Sequence, residues 1–553
     1  MHEVSPCGQA KEGVTYKQIR LGQKIMTRYE SYRKADNELG EAIFRTQHHW
    51  LTIEMEMQVL RGILPQLNGK LQIHFSQMFQ KLEAKLQEVV SLLDTIIGGS
   101  GSFVYLMRTM SWDGLSHKKG RLNRLKFATQ VKGDLDKILV DLGDWHGMLQ
   151  LSWFLLSRVQ DSTVDTQLSA HLGSSGNQQI ERLQKLRNAI HGKSSYNTRA
   201  PQLFMEEQEW IGNRTPVLYS MGKIARDSRT MDLLYIETFI PHPKIPPNIS
   251  AKNVRDLANI LSTVDPLVFC ILSCQGVIVR SESPGRFRSF ELVFGVPKSL
   301  SNPQTLREVL LRGYRYPLGT YFRFAQRLAK AIMFVHSANF VHKNLRPDTI
   351  LVFTGAEGCN DIGEPFLVGF ESFRPLDGCT YLVGDCEWQK NLYRHPTRQG
   401  LFPEDYYQMQ HDIYSLGVCL LELGMGESFV MPDVVGTDFV PSSILPISEY
   451  LPLKQPGGAQ RVKEHLITMA ELRLPVLMGP RYTQVVVMCL SCLDGDNNDF
   501  GDQRELFDSD GILVGVRYVE TVCGALLLKS LANGIYAGNC QIRGDCRLTF
   551  SYT

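Results

Sequence analysis

Hydrophobic periodicity changes after about residue 205, and that change constrains the fold more than any other feature. Before it, apolar residues recur three and four apart. Leu71, Phe75, Met78, Phe79, Leu82, Leu86, Val89, Val90, Leu93, Ile96 and Ile97 form one stripe that stops at Gly98-Gly99-Ser100-Gly101, the signature of a long amphipathic helix. A preceding run, Phe44, Leu51, Met55, Leu60 and Leu64, ends near Pro65 and the Asn68-Gly69 turn signal, which predicts an antiparallel pair joined by a short connection. A third run spans Leu122 to Trp153, and with Tyr16 to Tyr32 it makes a helical bundle over residues 1–165 the economical architecture.

Beyond residue 205 the pattern turns strand-like. LLYIETFI (233–240), LVFCILSCQGVIV (267–279) and FELVFGV (290–296) are rich in Val, Ile, Phe and Tyr. Helices are predicted over Asn253–Leu261, Thr305–Leu311 and Tyr321–His336. Strands first and helices after is the order of a two-lobed α+β domain. The polar stretch between, Gln160 to Asn197, reads as a linker with one helical brace through Ile180, Leu183 and Leu186. The expected division is therefore a bundle at 1–165, a linker and brace at 166–204, an α+β domain at 205–525 and a tail at 526–553.

Composition narrows the functional classes. At 553 residues the chain exceeds one compact core, and 43% hydrophobic with 21% charged residues describes a folded, globular protein. Lys plus Arg number 59 against 57 Asp plus Glu, so no global field gathers nucleic acid, and no nucleic-acid module is recognisable. The 12 cysteines are scattered, as in a reducing compartment rather than a disulfide scaffold. No window approaches the roughly 20 apolar residues that span a bilayer, and a cytoplasmic protein is expected.

The segment FVHKNLRPDTILVF (340–353) resembles the catalytic loop of a protein kinase, H-R-D-L-x-x-x-x-N followed by a strand. PFLVGFESF (365–373) follows, with Gly369-Phe370-Glu371 in the place of Asp-Phe-Gly. YRHP (393–396) and HDIYSLGVCLLELGMG (411–426) resemble the end of an activation segment and the buried helix anchoring the large lobe. The resemblance implies a two-lobed kinase-like domain in which His342, Leu345, Pro347, Phe370, Asp412 and Gly417 keep architectural places. The chemistry is missing. Asn344 stands where a carboxylate would take the substrate proton, Thr349 where an amide would hold the second metal, Gly369 where the principal Mg²⁺ carboxylate would be, and Glu237 where a lysine would bind phosphate. No G-x-G-x-x-G precedes Glu237; Gly212 and Gly222 are ten apart. No catalytic residue, metal ligand or cofactor is expected, ATP included. The alternatives are a divergent active kinase, with Asp348 or Asp361 approaching the metal and Lys223 or Lys244 replacing the lysine, and a non-catalytic interaction scaffold.

Bundle, brace and lobes in that order are similar to fungal proteins carrying a HeLo domain of the prion-inhibition and propagation family, and in layout to the animal necroptosis proteins of the mixed-lineage kinase domain-like type. The segments HKNLRPDTIL, LVGFE, YTQVVVMCLSCLDGDNNDFGD and DGILVGVRYVE carry the likeness. It implies a signalling or cell-death protein whose kinase-like part meets protein partners and whose bundle is released to form homo-oligomers or act on a membrane. Lys17, Arg20, Lys24 and Arg28 would share one helix face, and Lys118, Lys119, Arg121, Arg124 and Lys126 form a second basic cluster. Both are candidates for anionic lipid, which attracts such residues by about 1 kcal/mol each near the surface. A solvated helix face is the plainer reading of the same charges. Cys489 and Cys492, like Cys270 and Cys274, read as buried structural residues rather than metal or redox sites.

Overall fold

The computed structural model describes residues 37–98, 132–175, 178–191, 204–205, 212–241, 246–281, 288–354, 361–370, 373–375, 384–433, 438–445, 457–495 and 512–527. Three long helices come first: α1 (Asn37–Ile63), α2 (Gly69–Gly98) and α3 (Lys132–Trp153). Pro65 sits in a 3₁₀ turn, Leu64–Gln66, that ends α1, and α2 starts where the Asn68 side chain accepts the Leu71 N–H at 2.9 Å, an N-cap read correctly as a turn signal. The predicted stripe is the packed face: Leu71, Phe75, Met78, Phe79, Leu82, Leu86 and Val89 are all buried.

Two shorter helices follow, α4 (Ser162–Ser175) and α5 (Gln178–Ile190). The expected brace is α5, whose Ile180, Leu183 and Leu186 are buried. The sequence pattern predicts linker over α4, and the structure differs. Asp161 accepts the Thr163 N–H at 2.7 Å, capping a polar segment whose two inward residues, Val164 and Leu168, are fully buried. Two apolar residues spaced four apart suffice to seat one helix face.

The larger sheet has the order β1-β5-β6-β4-β3-β2, from β1 (Phe204–Met205), β2 (Thr215–Pro216), β3 (Lys223–Arg226), β4 (Leu233–Phe239), β5 (Ser273–Ser281) and β6 (Arg288–Gly295). All neighbours are antiparallel except β1 and β5. The helix α6 (Pro247–Ser262) crosses between β4 and β5 and packs on β5. The residues Leu267 to Phe269, expected as strand, are instead a helical turn, α7 (Pro266–Phe269). Asp265 accepts the Leu267 N–H, Pro266 occupies the first turn, and Cys270 ends it at φ 55. These start signals outweigh the strand preference of Leu-Val-Phe.

After β7 (Ser301–Thr305) and α8 (Leu306–Leu311) the structure is mainly helical: α9 (Leu318–Ser337), α10 (Trp388–Asn391), α11 (Met409–Met425), α12 (Gly458–Leu477) and α13 (Pro480–Leu490). Four small antiparallel strands accompany α9: β8 (Phe340–Val341) pairs with β11 (Arg374–Pro375), and β9 (Ile350–Thr354) lies between β7 and β10 (Glu364–Leu367). A hairpin, β12 (Val430–Pro432) with β13 (Phe439–Pro441), follows α11. Every residue of α11 is buried, its charged residues Asp412 and Glu422 included. The last described segment runs Ile512–Tyr518 as α-helix, Val519–Cys523 as a π turn and Gly524–Leu527 as α-helix. The architecture is mixed helix and sheet. One buried core extends without interruption from Ile53 in α1 to Leu526, so the helices before residue 165 and the part after 205 are packed together rather than strung apart. Among the described residues no helix is long and apolar enough to cross a membrane.

Candidate functional site

The site gathers around the loop 342–349, which leaves β8 and enters β9. Its backbone is fixed from beneath by Asp412, in the first turn of α11. The carboxylate accepts the His342 N–H at 2.8 Å and the Lys343 N–H at 2.9 Å. Tyr407 donates its hydroxyl at 2.7 Å and His336 donates from Nε2 at 3.1 Å. Burial works against a charge here, yet these donors, His336 foremost, hold the Asp412 carboxyl below the usual carboxylate range. The clamp is needed because Lys343 has φ +66, a left-handed conformation costly for a side chain with a Cβ.

His342 points the other way. Its Nε2 donates to the Val368 carbonyl at 2.9 Å, and its ring meets Phe370 edge-on at 5.0 Å. Leu345, Pro347, Phe370 and Gly417 are buried. A Cβ on Gly417 would come within 2.8 Å of Cys489 Cβ, so glycine is what lets α11 and α13 approach. All six architectural positions are buried, and His342 touches both Asp412 and Phe370.

The four positions singled out for missing chemistry converge as well. Glu237, on β4, accepts the backbone N–H of Gly369 through Oε1 and that of Phe370 through Oε2 at 3.0 Å. Asn344 donates from Nδ2 to the Gly369 carbonyl at 3.2 Å, and its Oδ1 accepts from Arg346. Thr349 donates its hydroxyl to the Asn344 carbonyl at 2.7 Å and accepts the Arg346 N–H at 3.1 Å. Gly369 has φ +87, and a Cβ there would overlap the Thr349 methyl. What remains open between β4, the turn Ser220-Met221-Gly222, Arg346, Thr349 and Gly369 is a cavity of about 10 Å³, room for roughly one water. The turn itself is drawn inward: Ser220 and Tyr235 share a hydrogen bond at 3.0 Å, and Thr305 donates to the Leu218 carbonyl at 3.0 Å.

The two carboxylates considered as relocated ligands are otherwise engaged. Asp348 pairs with Arg307 at 3.1 Å and with Arg346 at 3.2 Å. Asp361 pairs with Arg323. Lys223 is exposed on β3, and Lys244 lies outside the described residues. No group of three or more His, Cys, Asp or Glu able to hold a metal occurs among the described residues. Cys270, Cys274, Cys489 and Cys492 are buried free thiols; burial pushes Cys270 up to about 11 and Cys274 up to about 12, away from the reactive thiolate. Lys17, Arg20, Lys24, Arg28, Lys118, Lys119, Arg121, Arg124 and Lys126 all lie outside the described residues.

Sequence reasoning missed a second constellation. Arg307 of α8, almost wholly buried, donates to Asp348, to Glu422 at 3.1 Å, to Ser428 at 2.7 Å and to Tyr393 at 2.9 Å. One guanidinium faces two carboxylates. Burial raises both, but Arg307 draws Asp348 below its ordinary range, while Glu422 stays above its own despite Arg307, the Phe429 N–H and the Tyr393 hydroxyl. Nothing in the spacing of residues 307, 348 and 422 foretells their meeting. Arg346 was also overlooked, although it stands two residues from both Asn344 and Asp348.

No family model matches this chain, and no curated protein matches it.

Proposed function

We propose that residues 205–525 form a two-lobed, kinase-like domain that transfers no phosphate and serves instead to hold the helical bundle in a signalling or cell-death protein. The observation that carries this reading is the Glu237 carboxylate on the two adjacent backbone N–H groups of Gly369 and Phe370. In a phosphotransferase that space is needed for a cation-bound phosphate, and a carboxylate there repels phosphate at short range. Glu237 is used as an internal strut between the sheet and the loop after β10.

Further support comes from what is kept. Asp412 secures the backbone of the 342–349 loop although that loop carries Asn344 in place of a base. A clamp that has outlived the chemistry is consistent with selection for shape. The shared core between the bundle and the later domain supports a holding role. By the family resemblance the bundle is the effector, acting as an oligomer or on anionic membrane, with protein partners meeting the lobes.

The test is phosphotransfer by the full chain from γ-labelled ATP with Mg²⁺, to itself and to a generic acceptor protein. Incorporation at background is expected. Incorporation that is abolished by Asp348→Asn or Asp361→Asn would overturn the proposal, because it would identify a relocated catalytic carboxylate.

A further inference from the structure

Residues 514–516, 518, 519, 522–524 and 526 of the segment 512–527 are buried, and its two faces meet different parts of the molecule. Tyr518 donates its hydroxyl to the Ala329 carbonyl of α9 at 3.1 Å, and Gln326 of α9 donates to the Leu526 carbonyl at 2.8 Å. Those contacts belong to the domain after residue 205. On the other side Glu520 lies 2.9 Å from Nδ1 of His74, a fully buried residue of α2 whose Nε2 is 2.8 Å from the Ser152 hydroxyl of α3. Both glycines of the segment also turn to the bundle side. A Cβ on Gly515 would come within 2.7 Å of Leu155 Cδ2, and one on Gly524 within 3.0 Å of Met148 Cε. Nine residues of α-helix would set these glycines about half a turn apart; the wider π turn at Val519–Cys523 reduces that offset.

We infer that the 512–527 segment is a latch between the lobes and the bundle, anchored to α9 by its Tyr518 face and parting from α2 and α3 along its glycine face. The anchored side is held by a large buried phenol and two hydrogen bonds to backbone carbonyls. The bundle side consists of close approach over small residues and the single Glu520–His74 hydrogen bond, an arrangement that added bulk or loss of the carboxylate disturbs first. The surface uncovered on parting comprises Met148, Leu155, Ser152 and His74, all buried in this structure. This rests on the proposed holding role and deepens it by naming one element that does the holding, beside the direct bonds of Ser157 to the Ser337 carbonyl and of Arg158 to the His336 carbonyl.

Hydrogen exchange of the full chain reads the latch directly. Gly515→Leu is a better helix former than the glycine it replaces, so any loosening it causes comes from the bundle face. A methyl could be accommodated by turning Leu155; an isobutyl group could not. Amides of residues 69–89 and 135–153 should exchange at least ten times faster, with those of 318–337 and 409–425 unchanged. Equal acceleration in both sets, or in neither, would overturn the inference. Glu520→Gln, which removes the charge facing His74 without adding volume, should give the same pattern at smaller amplitude, and it decides the matter should Gly515→Leu fail to fold. A phosphotransfer result against the proposed function would leave this exchange pattern standing, so the two failures are distinguishable.

Discussion

The carboxylate of Glu237 and the backbone N–H of Phe370 are joined at 3.0 Å, across a sequence separation of 133 residues, and the neighbouring Gly369 N–H binds the other oxygen. Removing this acceptor leaves two buried N–H groups unsatisfied. Glu237→Ala should lower stability by about 1–3 kcal/mol, read from urea midpoints, and Glu237→Gln, which keeps one acceptor oxygen, by less. Equal stability of all three would show that the strut contributes nothing.

Asp412 gathers four donors, two of them backbone N–H groups, one belonging to the left-handed Lys343. Asp412→Ala should cost about 3–5 kcal/mol, the range for stripping a buried charged partner. The same variant should raise proteolytic susceptibility in the 342–349 loop, because the strained residue loses its restraint.

Gly369 and Thr349 should be energetically coupled. Gly369→Ala meets the Thr349 methyl and also carries a Cβ at φ +87. Thr349→Ser deletes that methyl and keeps the hydroxyl that donates to the Asn344 carbonyl. In a double-mutant cycle the serine should relieve part of the alanine penalty, with a coupling of about 0.5–2 kcal/mol; strain at φ +87 remains. Strict additivity would mean that the methyl had already moved aside.

Two buried histidines set an acid sensitivity. Burial, with Lys463 and His411 nearby, lowers His395 to about 3, and burial, with Arg398 nearby, lowers His411 to about 4. The Gln408 N–H donates to His411 Nδ1 at 2.9 Å, which requires the neutral ring. In the unfolded chain both would titrate near ~6.5. Between pH 6.5 and about 4.5 the unfolded state therefore binds more protons, and stability decreases as the pH is lowered, by up to about 1.4 kcal/mol per unit for each histidine. Glu422, raised by burial, opposes this slope, and Asp412 joins it only below the carboxylate range. His411→Gln should flatten the slope of unfolding free energy against pH in that window; an unchanged slope would exclude His411 as a source.

Much of the scaffold was legible because it is written in local patterns. The stripe Leu71 to Val89 and the helix Leu318–Ser337 follow from the 3.6 period, and the strand Leu233–Phe239 from its run of apolar, β-branched and aromatic residues. Signals that compete locally were misjudged at Leu267–Phe269, where the Asp265 cap and Pro266 prevail over strand preference. His342, Phe370 and Asp412 were singled out by motif order alone; their mutual contacts are seen only in the structure. What sequence could not supply is which side chains meet across long separations. Glu237 was read as a group that repels phosphate, and its bonds to Gly369 and Phe370 emerge only when β4 and the loop after β10 are seen together. The Arg307 network and the 512–527 segment between bundle and lobes are of the same kind.

The central claim is that the space beside Glu237 is filled by the protein's own groups and admits no nucleotide. Thermal unfolding of the full chain with rising Mg·ATP tests it most directly, since a ligand that binds the folded state stabilises it, by about 2.7 kcal/mol at a hundred times its Kd. The expected result is a midpoint that does not move with nucleotide up to millimolar concentration. A saturable rise in the midpoint, abolished by substituting residues around the Glu237 cavity, would contradict the account.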